Sequence, residues 1–189
     1  MGQDTVTLPF GPECMLQRVV RLVSEAVDLK RIVVVATSGQ LLPDLPSAIR
    51  MARDERQNRG PLEGLSAGLA VLQDDVDAVY ATSCDVPLLV PAFIARMFEL
   101  LDDFDIAVPC ETQQQHPLAA VYRTSVLPSI RRLLDADRLR LRFLFDEVRT
   151  REVPVDALRS ADPELSTLQN LNHPADYHAA LFAAGFPVP

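Results

Sequence analysis

Apolar residues along this chain switch repeatedly between helical spacing and unbroken runs. Met15, Leu16, Val19, Val20, Leu22, Val23, Ala26 and Val27 recur at helical spacing, and Lys30-Arg31 then leads into Ile32-Val33-Val34-Val35-Ala36. An amphipathic helix followed by a strand apolar on both faces is the alternation of an α/β sheet. Ile49-Arg50-Met51-Ala52 predicts a short strand that delivers Asp54 to the same sheet edge. Leu65, Leu69 and Leu72 mark a second helix, residues 76–84 a strand, and Pro91 the first turn of a third helix that buries Phe93, Ile94, Met97, Phe98 and Leu101. Residues 104–109 and 117–122 read as two strands around an exposed polar loop, 111–116. Residues 126–134 and 139–145 follow as helices, 151–155 as a short strand and 174–184 as the closing helix. One three-layer α/β/α domain over residues 1–189, with a mainly parallel sheet, accounts for this order.

Three motifs fall at the expected element boundaries. Cys84-Asp85-Val86-Pro87 stands where the small-residue run Val79-Tyr80-Ala81-Thr82-Ser83 ends. Ligands of open α/β sheets lie beyond the carboxyl ends of strands, so Asp85 faces the expected site, where a carboxylate can take an oxygen-seeking cation such as Mg²⁺. Pro87 stiffens the exit and stops the ladder. A lone aspartate at a strand end also caps turns, and both roles stay open on the tetrapeptide alone. Upstream, Gly60-Pro61-Leu62-Glu63-Gly64 opens the second helix, where free amides and the positive dipole end lie; a plain loop-to-helix turn is the competing reading. Downstream, Asn170-Leu171-Asn172-His173-Pro174-Ala175-Asp176 leads into the last helix. Asp176 there belongs to the first helical turn.

These motifs, in this order, resemble the molybdenum cofactor guanylyltransferases, nucleotidyltransferases that join GMP to molybdopterin and carry a GPLxG turn, a CDxP strand end and a terminal NxNxPxD segment. Met1-Gly2-Gln3-Asp4-Thr5-Val6-Thr7-Leu8-Pro9-Phe10-Gly11 is similar to the second half of that family's LAGGxSxRMGxDKxxLPFxG signature. The resemblance implies a Rossmann-like nucleotidyltransferase domain, glycosyltransferase-A-like, whose first strand and glycine-rich loop are missing here, leaving a strand edge open on one side of the sheet. It implies Asp85 as metal ligand and catalytic centre. Gly2, Asp4, Asp54, Gly60, Pro61, Leu62, Gly64 and Asp85 become the nucleotide-binding set, with Asn170, Asn172 and His116 on the pterin or phosphate side. Asp54, with Arg53, Glu55 and Arg56 beside it, also reads as part of a solvated charged surface, and His116 as a surface histidine. GTP, molybdopterin and Mg²⁺ are the implied ligands, and molybdoenzymes or other cofactor-biosynthesis proteins the implied partners. Departures run through the same segment: Thr5 stands where the motif has lysine, and Thr37 and Ser38 where an asparagine is expected. Weak GTP binding follows from those losses. A related nucleotidyltransferase using CTP or a sugar phosphate, and a noncatalytic paralogue that binds molybdopterin or a partner enzyme, remain alternatives.

Composition narrows the field further. A net charge of -8 argues against a nonspecific nucleic-acid binder, whose affinity comes from a basic surface, but not against a nucleotide held by local amides and cations. Hydrophobic residues make up 48% of the chain, yet no apolar run approaches the ~18 residues of a spanning helix, and no basic-plus-apolar leader follows Met1, so a cytoplasmic protein away from membranes is expected. Cys14, Cys84 and Cys110 are odd in number and lack CxxC spacing, which points to buried, reduced thiols rather than to disulfides or zinc.

Overall fold

In the computed structural model, which describes residues 5–54 and 59–188, the strands among the described residues are β1 (Pro9–Phe10), β2 (Glu13–Cys14), β3 (Val33–Ala36), β4 (Arg50–Arg53), β5 (Ala78–Thr82), β6 (Ile106–Glu111), β7 (Gln114–Gln115), β8 (Ala119–Arg123) and β9 (Thr150–Pro154). The helices are α1 (Met15–Ser24), α2 (Pro61–Leu72), α3 (Pro91–Leu101), α4 (Leu127–Asp135), α5 (Arg142–Phe145) and α6 (Pro174–Ala183). The α/β alternation is therefore present, with smaller adjustments. Residues 139–145 are α-helical only over α5, and the polar loop at 111–116 is a tight hairpin joining β6 to β7, with Thr112 at φ 58°. Among the described residues the three cysteines form no disulfide, and they are partly buried rather than fully so.

Strand directions make the sheet mixed. β3 and β4 pair in parallel, as do β6 and β9. β8 runs antiparallel between β5 and β6, so β5, β6 and β9 share one direction while β8 and β7 oppose it. α2 fixes how the two groups of strands are oriented. At its amino end a Cβ on Gly64 would lie 3.6 Å from Asp54 Oδ1, just past β4. Near its carboxyl end, Arg50 at the start of β4 donates to the Val71 carbonyl at 3.2 Å and to the Asp75 carboxylate at 2.6 Å. β5 thus begins beside the start of β4, and its exit shares the edge that carries Asp54.

The interruption in the sheet is interior, not the lateral open edge expected from the sequence. Among the described residues no ladder joins β3 to β5: β3 pairs with β4, and β5 with β8. Two helices span the interruption on opposite faces. Leu16 and Val20 of α1 pack with Ile32 and Val34, while Val19 belongs to a cluster against which Tyr80 packs. On the other face Leu65 and Leu69 of α2 pack with Val79 and Ala81, and Gly68 sits against Val35. The largest core lies between α2, α4 and the β6–β8 region, where buried Tyr122 satisfies its hydroxyl by donating to the Pro117 carbonyl at 2.7 Å.

Candidate functional site

The loop after β5 is held from three directions. The Ser83 hydroxyl donates to Asp85 Oδ1. Asn170 Nδ2 donates to Oδ1 and Oδ2 of the same carboxylate at 3.3 Å each, and the Leu171 N–H donates to the Asp85 carbonyl at 2.9 Å. Arg18 of α1 donates from Nε to the Pro87 carbonyl at 2.6 Å. Its guanidinium lies 4.8 Å from the Phe10 ring centroid and 5.4 Å from that of Phe186, two rings in edge-to-face contact, and these cation–π contacts help fix the donor. Burial lowers the Arg18 pKa, with Arg21 adding to that and Glu13 opposing it.

The segment that carries Asn170 is itself anchored. Asp162 is buried and accepts from the Ser166 N–H at 3.0 Å and the Thr167 N–H at 2.8 Å. Thr167, also buried, then accepts from the Val90 N–H at 3.0 Å. The carboxylate of Asp85 is therefore oriented by its neighbour Ser83 and by Asn170, 85 positions away. Asn172 takes a different part. It is exposed, and its N–H and that of His173 donate to Asp176 Oδ2 at 3.1 and 2.8 Å, so Asp176 caps α6 as expected.

Asp54 and the GPLxG turn meet on the same edge. The Asp54 N–H donates to the Ala36 carbonyl at 3.1 Å, which continues the β4 pairing by one residue. Among the described residues its Oδ1 is buried without a hydrogen-bond partner, and burial raises its pKa. An orphaned carboxylate oxygen needs a donor, and a ligand can supply one. Gly60 caps α2 at φ 69° and ψ -168°, a conformation open to glycine and costly for other residues, and Pro61 follows at the first helical position. Leu62, by contrast, is fully buried in the main core, so any part it takes in binding belongs to its backbone.

His116 lies just before β8, whose first residue, Ala119, pairs with Thr82 at the end of β5. The topology therefore brings it to the Asp85 edge. Burial lowers its pKa, with Glu111 opposing, so the imidazole is neutral near pH 7. Gly2 and Asp4 lie outside the described residues. Arg18 and Thr167 were invisible to motif reading because each acts on residues remote in sequence, and Asp162 because it acts only on the backbone of the turn at Ser166 and Thr167. A further pair stands close in sequence: Arg59, just before α2, and buried Glu63 in its first turn lie 3.8 Å apart between Nε and Oε2, and Arg59 also binds Asp137 at 2.9 Å.

Among the described residues no group of three or more His, Cys, Asp or Glu could hold a metal by itself. One oriented carboxylate fits the other mode, in which one or two carboxylates hold Mg²⁺ and substrate phosphates and water complete the octahedron. A sheet edge with that carboxylate, a helix amino end and an orphaned acceptor suits a phosphorylated, donor-bearing ligand. The profile of the MobA-like NTP transferase domain matches residues 1–153. The chain belongs to the MobA-like NTP transferase family. Within that family it is 32% identical over 169 residues to a probable molybdenum cofactor guanylyltransferase of Chloroflexus aggregans, covering 88% of this chain and 78% of the relative. A protein of the same description from Mycobacterium avium is 33% identical over 185 residues, 95% of this chain and 87% of the relative. The solved structure of molybdopterin-guanine dinucleotide biosynthesis protein A from Archaeoglobus fulgidus superposes with a TM-score of 0.76 at 18% identity, over 97% of this chain and 92% of that one. The 2-C-methyl-D-erythritol 4-phosphate cytidylyltransferase of Thermus thermophilus shares the fold at a TM-score of 0.66 and 15% identity, over 97% and 95%. No helix among the described residues is long and apolar enough to cross a membrane.

Proposed function

We propose that this MobA-like chain is a cytoplasmic molybdenum cofactor guanylyltransferase that moves GMP from GTP to molybdopterin. The observation that carries the reading is the Asp85 carboxylate, held by Asn170 and Ser83 on the edge where Asp54 and the α2 amino turn converge. The names of the relatives supply the substrates. Bound Mg²⁺ would neutralise the triphosphate and stabilise the leaving pyrophosphate; Asp85 would hold it, with Asn170 fixing the carboxylate's orientation. Asp54 Oδ1 would accept from the N–H donors of guanine or from a ribose hydroxyl. Neutral His116 and exposed Asn172 would line the pterin side. A molybdopterin phosphate oxygen forms a bond to the α-phosphorus, the bond from that phosphorus to the β-bridging oxygen breaks, and pyrophosphate departs with the electron pair. No protein nucleophile is required, so alignment and charge stabilisation do the catalytic work.

Thr5 supplies no cation to phosphate, so weak GTP binding is part of the proposal. The test is to incubate the chain with molybdopterin, Mg²⁺ and millimolar GTP or CTP, following pyrophosphate and the dinucleotide product. Guanine dinucleotide in at least tenfold excess over cytosine dinucleotide supports the reading. Equal products, or cytosine dinucleotide in excess, overturns it.

A further inference from the structure

Asp162 is a carboxylate buried where no cation meets it. It is 2% exposed, and among the described residues its side chain bonds only the Ser166 and Thr167 N–H groups, at 3.0 and 2.8 Å. Burying a charge without a counter-ion is unfavourable, so packing alone gives no reason for an aspartate here. What the charge does give is strong, fixed bonds to backbone amides. Those bonds close a turn in which Leu165 stands at φ 52°, a left-handed conformation that is costly for leucine. Leu165 and Leu168, on either side of the bonded amides, pack against the cluster of Phe93 and Met97 on α3, so the turn is also seated on that helix. From there the chain runs along the loop after β5 in the opposite direction. The Val90 N–H, at the amino end of α3, donates to Thr167 Oγ1 at 3.0 Å, and the Leu171 N–H donates to the Asp85 carbonyl at 2.9 Å. These two pins fix the course of the residues between them, and Asn170 is the last of those before Leu171.

We propose that Asp162 is a positioning residue of the Asp85 site. By bonding the Ser166 and Thr167 amides it holds the Thr167 hydroxyl against the Val90 N–H and sets the register in which residues 168–171 lie along the loop, so that the Asn170 amide meets the Asp85 carboxylate. Asp162 acts through Thr167 and Asn170 rather than on the ligand. A slip of one residue would bring Leu171, which has no side-chain donor, to that carboxylate. The consequence for Mg²⁺ rests on the reading of Asp85 as a metal ligand, whereas the placement of Asn170 does not.

The test compares the full chain with Asp162→Asn, Asn170→Ala and the double variant, by amide exchange without nucleotide and by GTP titration with and without Mg²⁺. Asparagine keeps the volume but turns a donor toward one of the two backbone amides, so exchange at Val90 and Leu171 should quicken at least about tenfold while β6 and β8 keep their protection. The side-chain amide resonance of Asn170 should shift with it. The tightening of GTP binding by Mg²⁺ should fall about fivefold in Asp162→Asn, the loss expected for Asn170→Ala, and the double variant should lose no more than Asn170→Ala alone. Thr167→Ser, which keeps the acceptor for Val90, should behave as the unaltered chain, and Thr167→Val as Asp162→Asn; these two carry the test if Asp162→Asn does not fold. Unchanged exchange at Leu171, additive losses in the double variant, or a lower melting temperature with the Mg²⁺ effect intact would each overturn the proposal. Should Mg²⁺ leave GTP binding by the unaltered chain unchanged, the guanylyl-transfer reading fails, and exchange at Leu171 with the Asn170 resonance still decides whether Asp162 sets that contact.

Discussion

Asn170 reaches across 85 positions of sequence to donate its side-chain amide to both oxygens of the Asp85 carboxylate. Two donors, this amide and the Ser83 hydroxyl, hold an acceptor-only group in one rotamer at the exit of β5. A carboxylate held in this way needs less reordering when a cation arrives.

Asn170→Ala should therefore weaken Mg²⁺-dependent GTP binding while sparing the fold. Asn170 is exposed and its bonds are long, so the expected cost is about 1 kcal/mol, roughly fivefold in affinity. Isothermal titration with and without Mg²⁺ measures it. A lowered melting temperature with unaltered GTP affinity would make the contact merely structural.

Burial raises the Asp54 pKa above its ordinary 3.8, so the folded chain holds that proton more tightly than the unfolded one. The folded state is then favoured below pH 3.8 and loses that advantage as pH rises through the higher folded value, leaving ionised Asp54 as a cost at neutral pH. Asp54→Asn should raise the melting temperature at neutral pH, with the gain vanishing in acid below the unfolded pKa. Thermal melts of both proteins across that range decide it. Asp54→Ala should also weaken GTP more than CTP; equal losses would move Asp54 to the ribose or the scaffold.

Arg18 ties α1 to the Asp85 loop through the Pro87 carbonyl while its guanidinium lies against two aromatic rings. Arg18→Ala removes a charged hydrogen bond and both ring contacts, for an expected loss of about 2–3 kcal/mol in urea unfolding. Amide exchange at Leu89, which donates to Val86 within the loop, should quicken in the same variant. Unchanged exchange there would show that the loop is held without Arg18.

Much of this was readable from the chain because it depends on local pattern. The run from Ile32 to Ala36 is apolar on both faces and could only be a covered strand, and Leu65, Leu69 and Leu72 fixed α2. Asp85 and the GPLxG turn were found because strand exits and helix starts carry their own residue types. Periodicity carries no direction, so the reversal of β8 between β5 and β6 could not be read from the alternation. An open strand edge was expected, but the interior position of the interruption depends on how α1 and α2 bridge β3 and β5. The Arg18–Pro87 bond spans 69 positions, and nothing in Asn170-Leu171-Asn172 says which asparagine turns to Asp85.

The most direct test is a set of GTP and CTP titrations, with and without Mg²⁺, on the chain and its Asp85→Asn variant. Charged hydrogen bonds and metal contacts of this kind are worth about 1.5–3 kcal/mol, so Mg²⁺ should tighten GTP binding at least about tenfold in the unaltered chain. Asp85→Asn should erase that Mg²⁺ effect, and GTP should bind more tightly than CTP. Retained Mg²⁺ dependence in the Asp85→Asn variant, or no preference for GTP, would contradict a guanylyl-transfer site centred on Asp85.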